Sequence, residues 1–180
     1  DETGAQTEIL TLDSPVLTNA RFAKMREYFG DGAVEIDCTF EGSGLRDSLD
    51  RVRDEAEQAV RAGANHIILT DEKVDADRVA MPMILATSAV HSWLTGKGLR
   101  TFCSINVRAA ECVDPHYFAV LVGAGATTVN AWLAQDSVAD RIERGLLDGP
   151  LSVAMDRYAE AINQGLLKIM SKMGISVISS

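Results

Sequence analysis

From Ala33 onward one pattern recurs: a short β-favourable apolar run, a few polar or glycine residues, then a run of helical period. "AVEIDCTF" leads into "LRDSLDRVRDEAEQAVRAG", "NHIILT" into "MPMILATSAVHSWLTG", "RTFCSINV" into "DPHYFAVLVGAG", and "TTVNAW" into "SVADRIERGL". Strand followed by helix at roughly 30-residue intervals is the pattern of βαβ units, which set parallel strands side by side and cover them with helices. The expected fold class is α/β. The unbroken apolar character of "HIILT" agrees with strands buried on both faces.

Punctuation supports these elements. Leu45, Leu49, Val52, Ala56 and Ala59 keep helical spacing, and Gly63 stands where a left-handed terminating residue belongs. Pro82 and Gly96 bracket the next helix, while Asp114 and Pro115 are an N-cap and a first helical residue. Upstream, residues 1–8 are polar and expected to be flexible. An irregular entry and a short helix follow, with Thr18 as N-cap and Phe22, Met25 and Phe29 on one side. Downstream, residues 150–173 read as a long amphipathic helix, with Leu151, Met155, Tyr158, Ile162, Leu166, Ile169 and Met173 on one face. Lys168 and Lys172 favour the negative end of its dipole, and Gly174 ends it. "ISVIS" reads as a fifth strand lacking a helix of its own. On this reading the chain is a truncated piece, with further βα units expected after Ser180 and the apolar side of the long helix and last strand partly exposed.

The 180 residues suit a single domain, 1–180. Seventeen basic against twenty-six acidic residues give a net charge of −9, which disfavours nucleic acid and anionic membrane surfaces. Cys38, Cys103 and Cys112, an odd number within or beside apolar runs, fit reduced, partly buried thiols better than a disulfide framework. No apolar run reaches the roughly 18 residues of a membrane span, and the acidic "DETGAQTE" is the reverse of an export signal. In a piece of a longer protein, that start carries no information about targeting of the whole.

In parallel α/β folds, function gathers at the carboxyl ends of strands. The polar residues there are Thr39 and Glu41, Thr70 and Asp71, Asn106 and Arg108, and Asn130. Acid, amide and guanidinium together can orient a small polar substrate or water; the competing reading is that they cap helices and fix turns. Cys112 and His116, with Glu111 and Asp114, supply only half of a closed zinc site. His116 suits a first helical turn, and His66 and His91 suit satisfied positions on a strand and a helix, although a cysteine–histidine pair assembled in space stays open. "VGAGATT" follows a helix rather than a strand, so Gly123 reads as a terminator and Gly125 as a close helix-to-strand approach rather than a phosphate cradle. "DEKVDAD" lacks the glycine and distant glutamate of a calcium loop and reads as a solvated loop.

Longer stretches carry a resemblance. "DEAEQAVRAGANHIILTD", the "DPH-x-FA-x-L-x-G-x-GA" pattern (Asp114, Pro115, His116, Phe118, Ala119, Leu121, Gly123, Gly125, Ala126) and "GL-x-KIMSKMGIS" from Gly165 to Ser176 resemble the central domain of the glutamate synthase large subunit, from about Ile9 onward. The resemblance implies a partial or degenerate TIM-barrel-like domain lying just before an FMN-binding barrel. The parent chain it implies carries a glutamine amidotransferase, FMN and a [3Fe-4S] cluster, and makes glutamate from glutamine and 2-oxoglutarate with ammonia channelled between its sites. An NADPH/FAD subunit or ferredoxin supplies electrons, in the bacterial cytoplasm or a plastid stroma. For this chain it implies an interdomain module whose partners are the other domains of the same polypeptide. No catalytic, cofactor-binding or metal-ligating residue is carried over; Thr70, Asp71, Asn106, Arg108 and Asn130 stand as strand-end or channel-interface candidates. The alternatives are a stand-alone lyase or isomerase using Asp71, Asn106 and Arg108, and a pure binding module.

Overall fold

The computed structural model describes residues 12–42 and 44–180. In chain order its elements are α1 (Asn19–Phe29), β1 (Ala33–Asp37), β2 (Thr39–Glu41), α2 (Leu45–Arg61), β3 (His66–Thr70), β4 (Arg78–Ala80), α3 (Met83–Gly96), β5 (Ser104–Arg108), α4 (Pro115–Gly123), β6 (Thr128–Asn130), α5 (Trp132–Glu143) and α6 (Leu151–Met173). The expectation for residues 1–8 lies outside the described residues.

β1, β3, β5 and β6 form one parallel sheet in that order, because each crossover helix returns the chain one strand further along. The far edge of β6 is taken by residues 15–17: Val16 bridges Val129 in parallel, Leu17 N donates to Val129 O at 2.9 Å, and Val129 N donates to Pro15 O at 2.8 Å.

The register sorts side chains cleanly, since alternate residues of a strand point to opposite faces. One face carries Ile36, Leu69, Val107 and Val129 in a row, with Val34, Ile67 and Ile105 in the row before. Against it pack Val52 and Ala56 of α2, Val90 and Leu94 of α3, Phe118 and Leu121 of α4, and Ile162 and Leu166 of α6, which together make the main core. The other face carries His66 and Ser104, then Glu35, Ile68, Asn106 and Thr128, then Asp37, Thr70, Arg108 and Asn130. Among the described residues α1 alone lies here: Phe22 and Met25 pack with Leu17 on Ile68 as a small second core. The chain thus passes from one sheet edge at residues 15–17 to the other at β1, and eleven residues of α1 at about 1.5 Å each, roughly 16 Å, match most of that width.

The predicted caps form. Thr18 Oγ1 accepts from Arg21 N at 3.2 Å. Asp114 accepts from His116 N and Tyr117 N, with Pro115 opening α4. Gly174 takes the left-handed conformation at φ 70 that ends α6. All three cysteines are free and buried. Gly165 lets α6 approach α4 closely, since a Cβ there would stand 2.6 Å from Pro115 Cβ. No helix among the described residues is long and apolar enough to cross a membrane.

Several boundaries are corrected. The first strand does not run on to Phe40: Asp37 Oδ1 accepts from Thr39 N at 2.9 Å and Thr39 Oγ1 at 2.7 Å, which bends the chain at Cys38. Thr39–Glu41 then pairs antiparallel with Arg78–Ala80, at the end of what reads as a polar loop. Arg100–Phe102 is a 3-10 turn, so the third long strand starts only at Ser104. The expected fifth strand at 175–179 does not form; those residues make turns. Ile175, Val177 and Ile178 are strand formers by propensity, but residues 15–17 already occupy the edge of β6. The expected exposure along α6 is present, at Leu151, Leu167 and Met173.

Candidate functional site

At the carboxyl ends of the strands the outermost row is Asp37, Thr70, Arg108 and Asn130, and each residue is committed to neighbours. Arg78 clamps the first position: its Nη2 meets Asp37 Oδ2 at 3.2 Å, its Nε donates to Thr39 Oγ1 at 2.9 Å, and its Nη1 donates to Glu41 Oε1 at 3.2 Å. Arg51 of α2 adds Nη2 bonds to Asp37 O and Thr39 O. Thr70 Oγ1 donates to Glu72 Oε2 at 3.3 Å. Arg108 pairs with Glu72, donates from Nε to Asn130 Oδ1 at 3.0 Å, and lies 4.5 Å above the Phe22 ring of α1, a cation–π geometry. Asn130 Nδ2 donates to Leu17 O at 3.0 Å and Asn19 Oδ1 at 2.8 Å. Asn19 extends the chain of bonds by accepting at that oxygen, donating from Nδ2 to Asp136 Oδ1 at 2.9 Å, and donating from its backbone N to Gln135 Oε1 at 2.7 Å.

Asp71, 1% exposed, sits one residue beyond β3. Its Oδ1 accepts from Trp132 Nε1 and its Oδ2 from Ala110 N, both at 2.8 Å, so one carboxylate ties three βα units together. Burial pushes its pKa up, opposed by these two bonds, with the nearby Glu111 charge adding to the rise. Glu111 accepts from Met83 N at 2.7 Å, capping α3 from outside where Pro82 offers no side-chain oxygen, and it also accepts from Tyr117 Oη. Tyr117 is held protonated well above its usual range by burial and by this acid partner.

Asn106 corrects one expectation: it is the middle residue of β5, not its end. Fully buried, it donates from Nδ2 to Ile67 O and Ser104 Oγ and accepts from Thr128 Oγ1 at 2.7 Å, using its amide inside the sheet. His66 Nδ1 stands 2.6 Å from Ser104 Oγ, and its ring stacks on Phe29 of α1 at 3.5 Å. Glu35 pairs with Arg26 of α1 at 3.1 Å.

Thr39, Glu41, Thr70, Asp71, Arg108 and Asn130 therefore do lie at strand ends, but they point into separate bonding groups rather than into one pocket. The open cleft beside them, about 500 Å³, runs along Asn19, Phe22, Ala23, Arg26 and Glu27 of α1 and reaches Arg108 alone of the candidates. The residues that hold this end together and were not singled out in the sequence are Arg78, Glu72, Asn19, Trp132 and Gln135. Apart from the bond of Glu72 to nearby Thr70, each meets a partner far away in sequence, so no local spacing marks it.

Other motifs resolve structurally. Glu111 and Asp114 are caps, His116 is exposed in the first turn of α4, and among the described residues no group of three or more His, Cys, Asp or Glu can hold a metal ion. Burial pushes the Cys38 thiol up to about 12 and that of Cys112 further, so both are held as neutral thiols rather than as thiolate nucleophiles. His91 accepts from Arg100 Nε at 3.0 Å. Gly125, at φ 117, has its Cβ position filled by the His91 ring, so its close approach is to α3 rather than to a strand, and no phosphate can enter there. The "DEKVDAD" loop closes on itself, Asp75 Oδ1 accepting from Asp77 N and Arg78 N at 2.8 Å.

Comparison with known proteins gives consistent relatives. A family model described as the glutamate synthase central domain matches residues 1–180. The glutamate synthase [NADPH] large chain of Azospirillum brasilense is 60% identical, over 100% of this chain and 12% of its own length. That of Bacillus subtilis is 36% identical over 95% of this chain and 11% of its own. The ferredoxin-dependent chloroplastic glutamate synthase of Spinacia oleracea is 36% identical over 76% and 9%. The chain spans about a tenth of the length of these relatives. Among solved structures, a mandelate oxidase variant with an FMN adduct gives a TM-score of 0.57 at 15% identity, covering 88% of this chain and 55% of that one. Dihydroorotate dehydrogenase (DHODH) from Eimeria tenella gives 0.54 at 16%, covering 82% and 36%. Both are TIM-barrel enzymes, and at these identities the likeness shows the fold alone.

Proposed function

Because the chain belongs to the glutamate synthase central domain family, we propose that it serves as a structural spacer in a glutamate synthase large chain, one folded unit that sets the distance and path between a glutaminase site and a flavin site. The enzyme around it forms glutamate from glutamine and 2-oxoglutarate, passing ammonia internally, with FMN and a [3Fe-4S] cluster held by other domains. These domains are its partners. Electrons come from an NADPH/FAD subunit or from ferredoxin, since relatives of both kinds match this chain, and the setting is the bacterial cytoplasm or a plastid stroma.

The observation that carries the reading is the state of the strand ends. Where barrel enzymes place reactive groups, Asp37, Thr70, Asp71, Arg108 and Asn130 are bonded to other parts of the chain, and α1 lies across the adjoining face. Groups so engaged hold geometry; they have no free lone pair or proton aimed at a common point, as acid–base chemistry needs.

The test uses the full-length, flavin-loaded enzyme. Arg108→Ala should leave 2-oxoglutarate amination from added ammonia within about threefold of wild type, while raising the ratio of glutamine hydrolysed to glutamate formed. A fall of about a hundredfold in the ammonia-fed reaction, the size expected for loss of an acid–base group, would sink the spacer reading and make Arg108 catalytic.

A further inference from the structure

The two sides of the parallel sheet are held by unequal means. Helices α2, α3, α4 and α6 share one continuous core across the first side. On the second side α1 alone crosses from edge to edge, and only its Phe22 and Met25 are fully buried. We propose that α1 is a strap that opens and closes the polar face of the sheet independently of the helical shell, pivoting on its anchored N-terminus and releasing first at its C-terminal end.

The two ends of α1 differ in the required way. At the N-terminus Asn19 engages Asn130, Asp136, Gln135 and the Trp132 carbonyl, and residues 15–17 are paired with β6. At the other end the attachments are the Phe29 stack on His66, the Arg26–Glu35 pair, whose arginine side chain is 55% exposed, and, beyond the helix, one backbone bond from Asn65 N to Gly32 O at 3.1 Å. The ion pair is of the weak, solvent-screened kind, which leaves the Phe29 stack as the main side-chain hold on this end. The chain then turns through Gly30, at φ 46, a conformation glycine adopts freely and other residues seldom do. Between these ends runs the open cleft lined by Ala23, Arg26, Glu27 and Gly30, so water already reaches one flank of the helix.

Lifting α1 bares Ile68 and Leu17 beneath it and Phe22 and Met25 of the helix itself, a patch far smaller than the core under α2, α3, α4 and α6. The rest of that face, His66, Ser104, Asn106, Thr128, Arg108 and Asn130, keeps its hydrogen bonds within the sheet or exchanges them for water. An apolar face could not be uncovered so easily; a polar one can, which is why local opening concentrates where few apolar contacts are made. The strap does not depend on the proposed role of the surrounding enzyme.

Hydrogen–deuterium exchange in the full-length polypeptide that contains this chain, followed peptide by peptide, tests it. Peptides covering 19–29 should exchange at least about tenfold faster than those covering 66–70 and 104–108. Phe29→Ala should speed the first by about a further tenfold and leave the other two unchanged. Arg26→Gln, at an exposed position, should do the same more weakly and serves if the first variant does not fold. Ile68→Cys, beneath the strap, should be alkylated faster in the Phe29→Ala background, while Cys38 at the end of β1 stays unreactive. Exchange of 19–29 in step with 66–70, or equal acceleration of all three regions by Phe29→Ala, would show that α1 opens only with the whole fold and would overturn the proposal.

Discussion

Along the apolar face of the sheet Ile36, Leu69, Val107 and Val129 stand shoulder to shoulder, while one residue further along the same strands Asp37, Thr70, Arg108 and Asn130 do so on the other face. The first row gains stability by leaving water, and any aliphatic side chain of similar volume would serve. The second gains little by burial and must have each donor and acceptor met, so it rewards one register and one set of neighbours. The apolar face supplies most of the energy of this fold, and the polar face supplies much of its specificity.

Truncating the apolar side should therefore have the largest effect. Phe118, 1% exposed in the middle of the main core, should cost about 3–5 kcal/mol as Phe118→Ala, and Leu69→Ala about 2–5 kcal/mol, measured by urea unfolding. On the polar side Asn106→Ala strands the Thr128 hydroxyl and the Ile67 carbonyl, at about 1–3 kcal/mol. A loss at Asn106 as large as that at Phe118 would break the comparison, because the polar row would then contribute energy on the scale of the core. A separate loss of similar size to that at Asn106, about 1–3 kcal/mol, is expected for Gly125→Ala, where a positive φ and the His91 ring both oppose a side chain.

The same division decides what was legible in the sequence. Apolar spacing announced α1, α2 and α6, Pro82 and Gly96 bracketed α3, and Thr18, Asp114, Pro115 and Gly174 marked ends of α1, α4 and α6, because those signals act within a few residues. The polar face was hidden for the converse reason. Asn130 meets Asn19, Asp71 meets Trp132 and Arg78 meets Asp37 across long stretches of chain, and nothing near any of them reveals its partner. "HIILT" was rightly read as buried on both faces, since Ile67 and Leu69 meet the helical shell and Ile68 meets α1. The fifth strand failed on tertiary grounds: Val177 and Ile178 favour extended backbone, but residues 15–17 hold the edge they would need.

The finest way to sharpen the comparison is pH, since His66 and Asp71 titrate at the polar face and its margin. Burial lowers the pKa of His66 from its ordinary 6.5. The unfolded chain thus takes up a proton near pH 6.5 while the folded chain resists until lower pH, so stability is full above about 6.5 and declines as pH falls toward the depressed value. Asp71 acts with the opposite sign: its raised pKa contributes stability below its ordinary 3.8 that is lost as pH rises through the higher folded value. On acidification from neutrality, a decline that begins near 6.5 belongs to His66 together with His91, whose pKa is lowered by burial and by the Arg100 charge, and the raised pKa of Asp71 works against it at lower pH. His66→Gln, which keeps a polar group near Ser104, should shrink that limb and leave the share due to His91. Because His66 lies under Phe29, that limb should also shrink in Phe29→Ala, where water reaches the ring in the folded state; a limb of unchanged size in that variant would mean that the strand below, rather than α1, is what keeps His66 dry.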